Sequence, residues 1–229
     1  MKLVCAMLLG FVLDLIFGDP HGLVHPVQII GWFIDKLKKG MQYLIYGCSY
    51  EEVKEKGIER KAGMEKAAGF FLMLFIVAGT YAVIYGILYV AGMIHPLLRF
   101  CLETFFIYQI LATKSLKKES MKVYKKLKEG DLLGARKEVS YLVGRDTENL
   151  DESEVAKADV ETIAENTADG VIAPMLFIAL GGAPLGFAYK AVNTLDSMVA
   201  YRNDELIHIG FFSAKWMISV ILYRQDLQR

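Results

Sequence analysis

The chain has 229 residues, 54% of them hydrophobic, 12% aromatic and 23% charged, with Lys plus Arg and Asp plus Glu balanced at 26 each. An apolar share above the roughly 45–50% of soluble domains points to a bilayer as solvent for part of the chain. Zero formal net charge leaves a nucleic-acid partner without electrostatic support, and neither a Walker loop nor a dinucleotide-binding glycine fingerprint occurs.

The N-terminus, MKLVCAMLLGFVLDLIFGDP, is Lys2 followed by an apolar run. It predicts a short, uncleaved membrane helix over 1–18. Asp14 within it is expected to face protein, because a carboxylate in lipid costs about 2.5–3.5 kcal/mol. The motif GDPHGLVHPVQIIG at 18–31 is turn-like, since a residue before Pro avoids the helical region. His21 and His25 there have two readings: they serve the turn and a helix cap, or His25 joins Asp19 in a site. From Ala67 to Ile94 no residue is charged, a length of about 40 Å against a hydrocarbon core of about 30 Å. This predicts a membrane helix, with Gly69, Gly79 and Gly86 suited to close helix contacts. Pro96 is placed to start a return helix, giving membrane helices over 67–113, with a surface amphipathic helix as the alternative for the second arm. Lys and Arg crowd both 35–66 and 114–157. A hairpin between them puts both on one side, which the positive-inside rule makes the cytoplasm.

Residues 114–169 read as cytoplasmic helices. Leu116, Ser120, Val123 and Leu127 share a stripe, Gly130 ends that helix and Asp131 caps the next. Asp151 with Glu154 three residues on is a capping box. No strand pattern stands out. Cys5, Cys48 and Cys101 are scattered and odd in number, with neither metal spacing nor a disulfide framework. The fold class is all-α: a polytopic membrane protein as one domain over 1–229, with a cytoplasmic helical insertion, a broken or re-entrant helical hairpin over 170–203 and an atypical tail at 215–229.

The densest chemistry lies in ADVETIAENTADGVIAP, 158–174. On a helix with Asp159 at zero, Glu161, Glu165, Asp169, Thr162 and Asn166 fall at about 200°, 240°, 280°, 300° and 340°. The polar groups share one arc, while Val160, Ile163, Ala164 and Ala168 fill the other. A soluble amphipathic helix has the same pattern. Yet the arc holds no Lys or Arg, and its short oxygen-bearing side chains suit Mg²⁺, which takes one or two carboxylates plus phosphate and water. The apolar stretch 171–180 that follows is too short to span. Gly181, Gly182 and Pro184 interrupt it before a second helix at about 185–201, where Lys190, Asn193 and Ser197 share a face with Asp196 and Arg202 follows. Carboxylates for a metal and cations for phosphate point to phosphoryl chemistry at one cytoplasmic-side mouth.

The blocks LDLIFGDPHGLVHPVQIIG, VGRDTENL, DVETIAENTADGVIAP and GGAPLGFAYKAVNTLDSMVAYRN make residues 3–214 resemble the adenosylcobinamide-phosphate synthases, the CobD/CbiB family of cobalamin biosynthesis. The resemblance implies a multi-pass enzyme of the inner (cytoplasmic) membrane with its site facing the cytoplasm. It implies an ATP-dependent ligase that joins a carboxylate of adenosylcobyric acid to the amine of aminopropanol phosphate or a similar amino alcohol. The corrinoid is then substrate, ATP and Mg²⁺ are required, and the partners are the bilayer and either a second copy or other membrane enzymes of the pathway. On this reading Glu165, Asp169 and Asn166, with Asp159 and Glu161, hold Mg²⁺. Lys190 and Arg202, with Asn193 and Ser197, hold phosphate, and Arg145 is a further phosphate candidate. Asp196 or His25 takes the proton from the amine, and Asp19 completes the catalytic set with Lys190. Members of the family continue further than this chain, and KWMISVILYRQDLQR at 215–229 does not match them, so a shortened chain is expected. The alternatives are a non-catalytic relative and a corrinoid transporter subunit, the latter requiring polar groups at the bilayer midplane.

Overall fold

Every regular element among the described residues is a helix, as the missing period-two patterning implies. The computed structural model describes residues 1–19, 25–199, 206, 208–213 and 215. The chain divides into two compact units, residues 1–22 with 100–179 and residues 23–99 with 180–229. The boundaries fall inside helix α5 (Pro96–Ile110) and helix α9 (Ala173–Val199).

In the first unit, α1 (Lys2–Phe17) buries Ala6, Gly10 and Asp14, one face at intervals of four, and exposes Val4, Leu8, Val12 and Leu15. Asp14 therefore faces protein, as expected. A Cβ on Gly10 would lie 2.7 Å from the Ile107 side chain of α5, so the α1–α5 crossing requires glycine. The helices α6 (Thr113–Lys128), α7 (Leu132–Ser140) and α8 (Glu152–Thr167) pack pairwise around Val123, Ala135, Val139, Val155 and Ala158. The predicted caps are present. Asp131 accepts from Gly134 N, and Asp151 and Glu154 form the reciprocal box.

In the second unit, α2 (Pro26–Tyr46) packs on α4 (Ala62–Ile94) and buries Ile30 and Ile34, while Ser49 caps the short α3 (Tyr50–Glu55). Glu65, 2% exposed, anchors the start of α4 by accepting from Arg60 and from the Tyr46 hydroxyl at 2.7 Å. A Cβ on Gly69 would meet the Ile209 carbonyl oxygen at 2.0 Å, whereas Gly79 and Gly86 have nothing within 4 Å of theirs. Of these three glycines, Gly69 mediates a close contact among the described residues.

Two described helical runs are long and apolar enough to cross a bilayer, Ala62–Ile94 and Glu152–Val199. At 16 and 15 residues, α1 and α5 rise only about 24 and 23 Å, less than a hydrocarbon core of about 30 Å. The stretch 67–113 thus holds most of one candidate span and the shorter helix α5, which ends at Ile110. In the second run the charge-free part is 170–189. Two irregularities mark it. Ala168–Ile172 is a π turn in which Ala173 N donates to Ala168 O. Pro174 explains it, because proline has no N–H to return to Gly170 and its ring clashes with the carbonyl four residues back. Further on, Gly181 (φ −148°, ψ 19°) and Gly182 (φ 72°, ψ −167°) leave the helical region, a conformation at Gly182 that favours glycine. The break expected at this place is present, and Pro184 falls in the first turn after it, where a missing N–H is tolerated.

Candidate functional site

The acidic segment lies on α8 and its π turn, in the first unit. If α8 were an ordinary amphipathic helix it would bury Val160 and Ala164 and expose its carboxylates. The reverse holds at the start of the segment: Val160 is 68% exposed and Asp159 only 7%. The buried face of α8 is Val155, Ala158 and Asp159. The Asp159 Oδ2 accepts from Ser120 Oγ of α6 at 2.7 Å, while Oδ1 is buried with no hydrogen-bond partner among the described residues. Burial pushes this carboxyl above the ordinary carboxylate range, and the Ser120 bond pulls it partly back. Ser120 was visible in the sequence only as a hydroxyl interrupting an apolar stripe. Glu161 is exposed and pairs with Arg145 at 3.2 Å and Lys157 at 3.8 Å. Glu165 is exposed, and Asn166 and Asp169 are half-buried.

Near the end of the acidic segment, where a Cβ on Gly170 would lie 3.6 Å from the Ala112 side chain, the chain leaving α1 is tied to α6. Asp14 Oδ2 accepts from Thr113 N at 2.7 Å, supplying from 99 positions away the cap that α6 lacks locally. The Tyr108 hydroxyl donates to Gly18 O, and Lys114 Nζ donates to Ile16 O. These bonds fix the position of Asp19, whose carboxylate accepts from Ser115 Oγ at 2.6 Å.

Between α7 and the loop 144–150 lies a cavity of about 540 Å³, lined by Leu133, Arg136, Lys137, Ser140 and residues 145–148. Two bonds hold this loop to α7. Arg136 Nε donates to Leu150 O at 2.7 Å and Thr147 Oγ1 donates to Arg136 O at 3.1 Å. Arg145 was named from the sequence. Arg136 and Lys137 were not, because they sit on a lysine-rich surface whose pattern marks no single residue.

The remaining candidates belong to the second unit. His25 is the N-cap of α2: its Nδ1 accepts from Val27 N at 3.2 Å, its backbone N donates to Gln28 Oε1 at 3.4 Å, and Pro26 follows at the first helical position. The capping reading of His25 is therefore what the geometry shows. With Nδ1 accepting, Nε2 carries the hydrogen, so His25 would have to break its cap to take a proton. On α9, Lys190, Asn193 and Asp196 are half-buried and Ser197 is exposed. The Ser197 hydroxyl donates to Asn193 O at 3.0 Å. Arg202 lies outside the described residues.

Among the described residues no three His, Cys, Asp or Glu side chains gather as a metal site. A cage built only from protein therefore does not fit the acidic face. Mg²⁺ held by one or two carboxylates together with substrate phosphate does fit its donor chemistry. Of the five residues named, Asp159 accepts from Ser120, and Glu161 pairs with Arg145 and Lys157.

A sequence model described as CobD/Cbib protein matches residues 7–217. The chain is 48% identical over 209 residues to a cobalamin biosynthesis protein CobD of Clostridium perfringens, covering 91% of this chain and 61% of the relative. Identity is 43% over 209 residues to the protein of the same name in Geobacter metallireducens, with 91% and 60% covered. It is 39% over 212 residues to a cobalamin biosynthesis protein CbiB of Salmonella arizonae, with 93% and 62% covered. The chain thus spans about three fifths of the length of these curated relatives. No solved structure matches it.

Proposed function

The chain belongs to the CobD/CbiB family of cobalamin biosynthesis proteins, and we propose that it serves that pathway as a membrane-associated, ATP-dependent amide ligase. The substrates are adenosylcobyric acid and aminopropanol phosphate or a similar amino alcohol phosphate, and the product is adenosylcobinamide phosphate. The observation that carries the reading is the family match over residues 7–217, joined by an acidic segment whose Glu165, Asn166 and Asp169 lie immediately before the charge-free run 170–189. The location that follows is the inner membrane, with the acidic face on the cytoplasmic side.

A carboxylate and an amine at neutral pH form a salt, not an amide. Activation by ATP solves this: a carboxylate oxygen takes the γ-phosphoryl group, ADP leaves, and the acyl phosphate is an electrophile. The amine then loses a proton and its nitrogen attacks the acyl carbon, with phosphate as leaving group. Glu165 and Asp169, with Asn166, are the residues that would hold Mg²⁺, which supplies charge neutralisation at the transferring phosphoryl group. Lys190 and Arg202 offset phosphate charge. Asp196 or His25 takes the amine proton; His25 does so only by releasing the Val27 N–H that its Nδ1 caps.

The test is a ligation assay on membranes containing the 229-residue chain, with ATP, Mg²⁺, adenosylcobyric acid and aminopropanol phosphate. ATP-dependent product from the wild type and none from Asp169→Ala, at equal membrane abundance, is the expected result. Absence of product from the wild type refutes ligation by this chain and leaves the non-catalytic reading. Near-normal product from Asp169→Ala removes the metal assignment.

A further inference from the structure

We propose that the cavity between α7 and the loop 144–150 binds the amino alcohol phosphate as a zwitterion. Arg136, Lys137 and Arg145 receive its phosphate, and Asp146 and Glu148 receive its ammonium group. This deepens the ligase reading and rests on it for the identity of the ligand.

Charge selects the ligand class. The lining carries three cations and two carboxylates, a net charge of +1. A phosphomonoester carries about −1.5 to −2 at neutral pH. With one ammonium group the small substrate carries about −0.5 to −1, opposite in sign to the lining. The triphosphate of ATP carries far more negative charge and meets two carboxylates here. A bare carboxylate such as the corrinoid side chain offers nothing to Asp146 or Glu148. Both signs in one cavity suit a molecule that carries both, and both are present on the amine substrate.

Preorganisation is the second support. The hydrogen bonds of Arg136 to Leu150 and of Thr147 to Arg136 clamp the loop to the helix, so the charged groups are presented from a fixed frame. Arg145 is held by an ion pair with Glu161 in which both side chains are about half exposed. Such pairs contribute little, so Arg145 can exchange that partner for a phosphate, with which a guanidinium makes paired hydrogen bonds. The position is the third support. Glu161 lies on the same helix as Glu165, one turn away, and Asp169 lies about 12 Å further along from Glu161. The cavity thus borders the acidic face within a single unit.

The test is calorimetric titration of the purified 229-residue chain in lipid nanodiscs with aminopropanol phosphate. Inorganic phosphate, aminopropanol and ATP serve as comparison ligands. Arg136→Ala endangers the loop, so the informative variants are Lys137→Ala and Glu148→Gln, whose side chains make no hydrogen bond among the described residues. Aminopropanol phosphate is expected to bind more tightly than either inorganic phosphate or aminopropanol. Lys137→Ala should weaken aminopropanol phosphate and inorganic phosphate by about tenfold. Glu148→Gln should weaken aminopropanol phosphate and leave inorganic phosphate unchanged, and ATP binding should be unaffected by both. No binding of aminopropanol phosphate to the wild type, wild-type affinity in either variant, or a loss confined to ATP overturns the assignment. Ligation kinetics separate the two readings. An unchanged KM for aminopropanol phosphate in both variants of an active ligase sinks the cavity and spares the ligase. Binding that depends on Lys137 and Glu148 in a chain that does not ligate sinks the ligase and spares the cavity.

Discussion

Replacing Glu65 by Ala removes the acceptor of a buried ionic network at the start of α4. Its carboxylate accepts from Arg60 Nε at 3.2 Å, from Arg60 Nη2, and from the Tyr46 hydroxyl at 2.7 Å. Tyr46 in turn accepts from Lys61 N at 2.9 Å, and Arg60 lies over the Tyr50 ring at 5.4 Å. Breaking a buried ion pair from one side costs about 3–5 kcal/mol, because the other charge is stranded. The Glu65 side chain is 3% exposed but that of Arg60 is 24% exposed, so water recovers part of the loss and the lower end, about 3 kcal/mol, applies. That raises the unfolded fraction on the order of a hundredfold, a large share of a total stability of about 5–15 kcal/mol. Denaturant titration of detergent-solubilised protein, followed by tryptophan fluorescence, reads the shift in midpoint. The paired replacement Arg60→Met with Glu65→Leu strands no charge and should return most of the stability. A Glu65→Ala variant within about 0.5 kcal/mol of wild type, or a double variant as unstable as the single one, would refute the account of Glu65 as the acceptor that holds this network together.

Three further outcomes are expected. Gly69→Ala forces a Cβ to within 2.0 Å of the Ile209 carbonyl and should destabilise by about 1–3 kcal/mol. Gly79→Ala, with nothing within 4 Å, should be neutral or slightly stabilising in the same titration, and equal effects would contradict the Gly69 contact. His25→Ala should cost about 1 kcal/mol of stability through loss of the α2 cap, read in the same titration, and an unchanged midpoint would show that the cap contributes nothing. Burial raises the Asp159 pKa, so the folded chain keeps this proton to higher pH than the unfolded chain. The sign follows: between an ordinary carboxylate pKa of about 3.9 and the higher folded value, stability falls as pH rises. Asp159→Asn should flatten that part of the stability–pH curve, and an unchanged slope would show that another group titrates there.

What the sequence showed plainly was whatever depends on local pattern. The charge-free run after Ala67, the caps at Asp131 and Asp151 and the break at Gly181–Gly182 are present, because chain length without charge, cap chemistry and glycine act over a few residues. Partners distant in sequence were not legible. Nothing near Asp14 or Asp159 reveals that one caps α6 through Thr113 and the other meets Ser120. The acidic arc was visible as an arc, but helical periodicity alone does not say which side of a helix faces inward. That the side with Asp159 is buried and Val160 is not depends on α6 and α7 packing beneath it. His25 shows the reverse limit: the His-Pro pair carried the right signal for a cap, and the same pair also resembled a site.

The π turn connects these points. Val160, Ile172, Leu176 and Leu180 are large exposed apolar residues at multiples of four along one continuous run. In a regular α-helix each step of four advances the face by about 40°, so the stripe would drift by about 200° from Val160 to Leu180. A π turn takes about one extra residue into a turn, and at Ala168–Ile172 this returns about 100° of the drift. The outward apolar stripe of α8 is thereby carried toward that of the charge-free segment, while Asp169 enters the turn on the half-buried side. Pro174, which makes a regular turn unfavourable at this place, is thus the residue through which the sequence aligns an exposed apolar stripe with a polar face on the same helix.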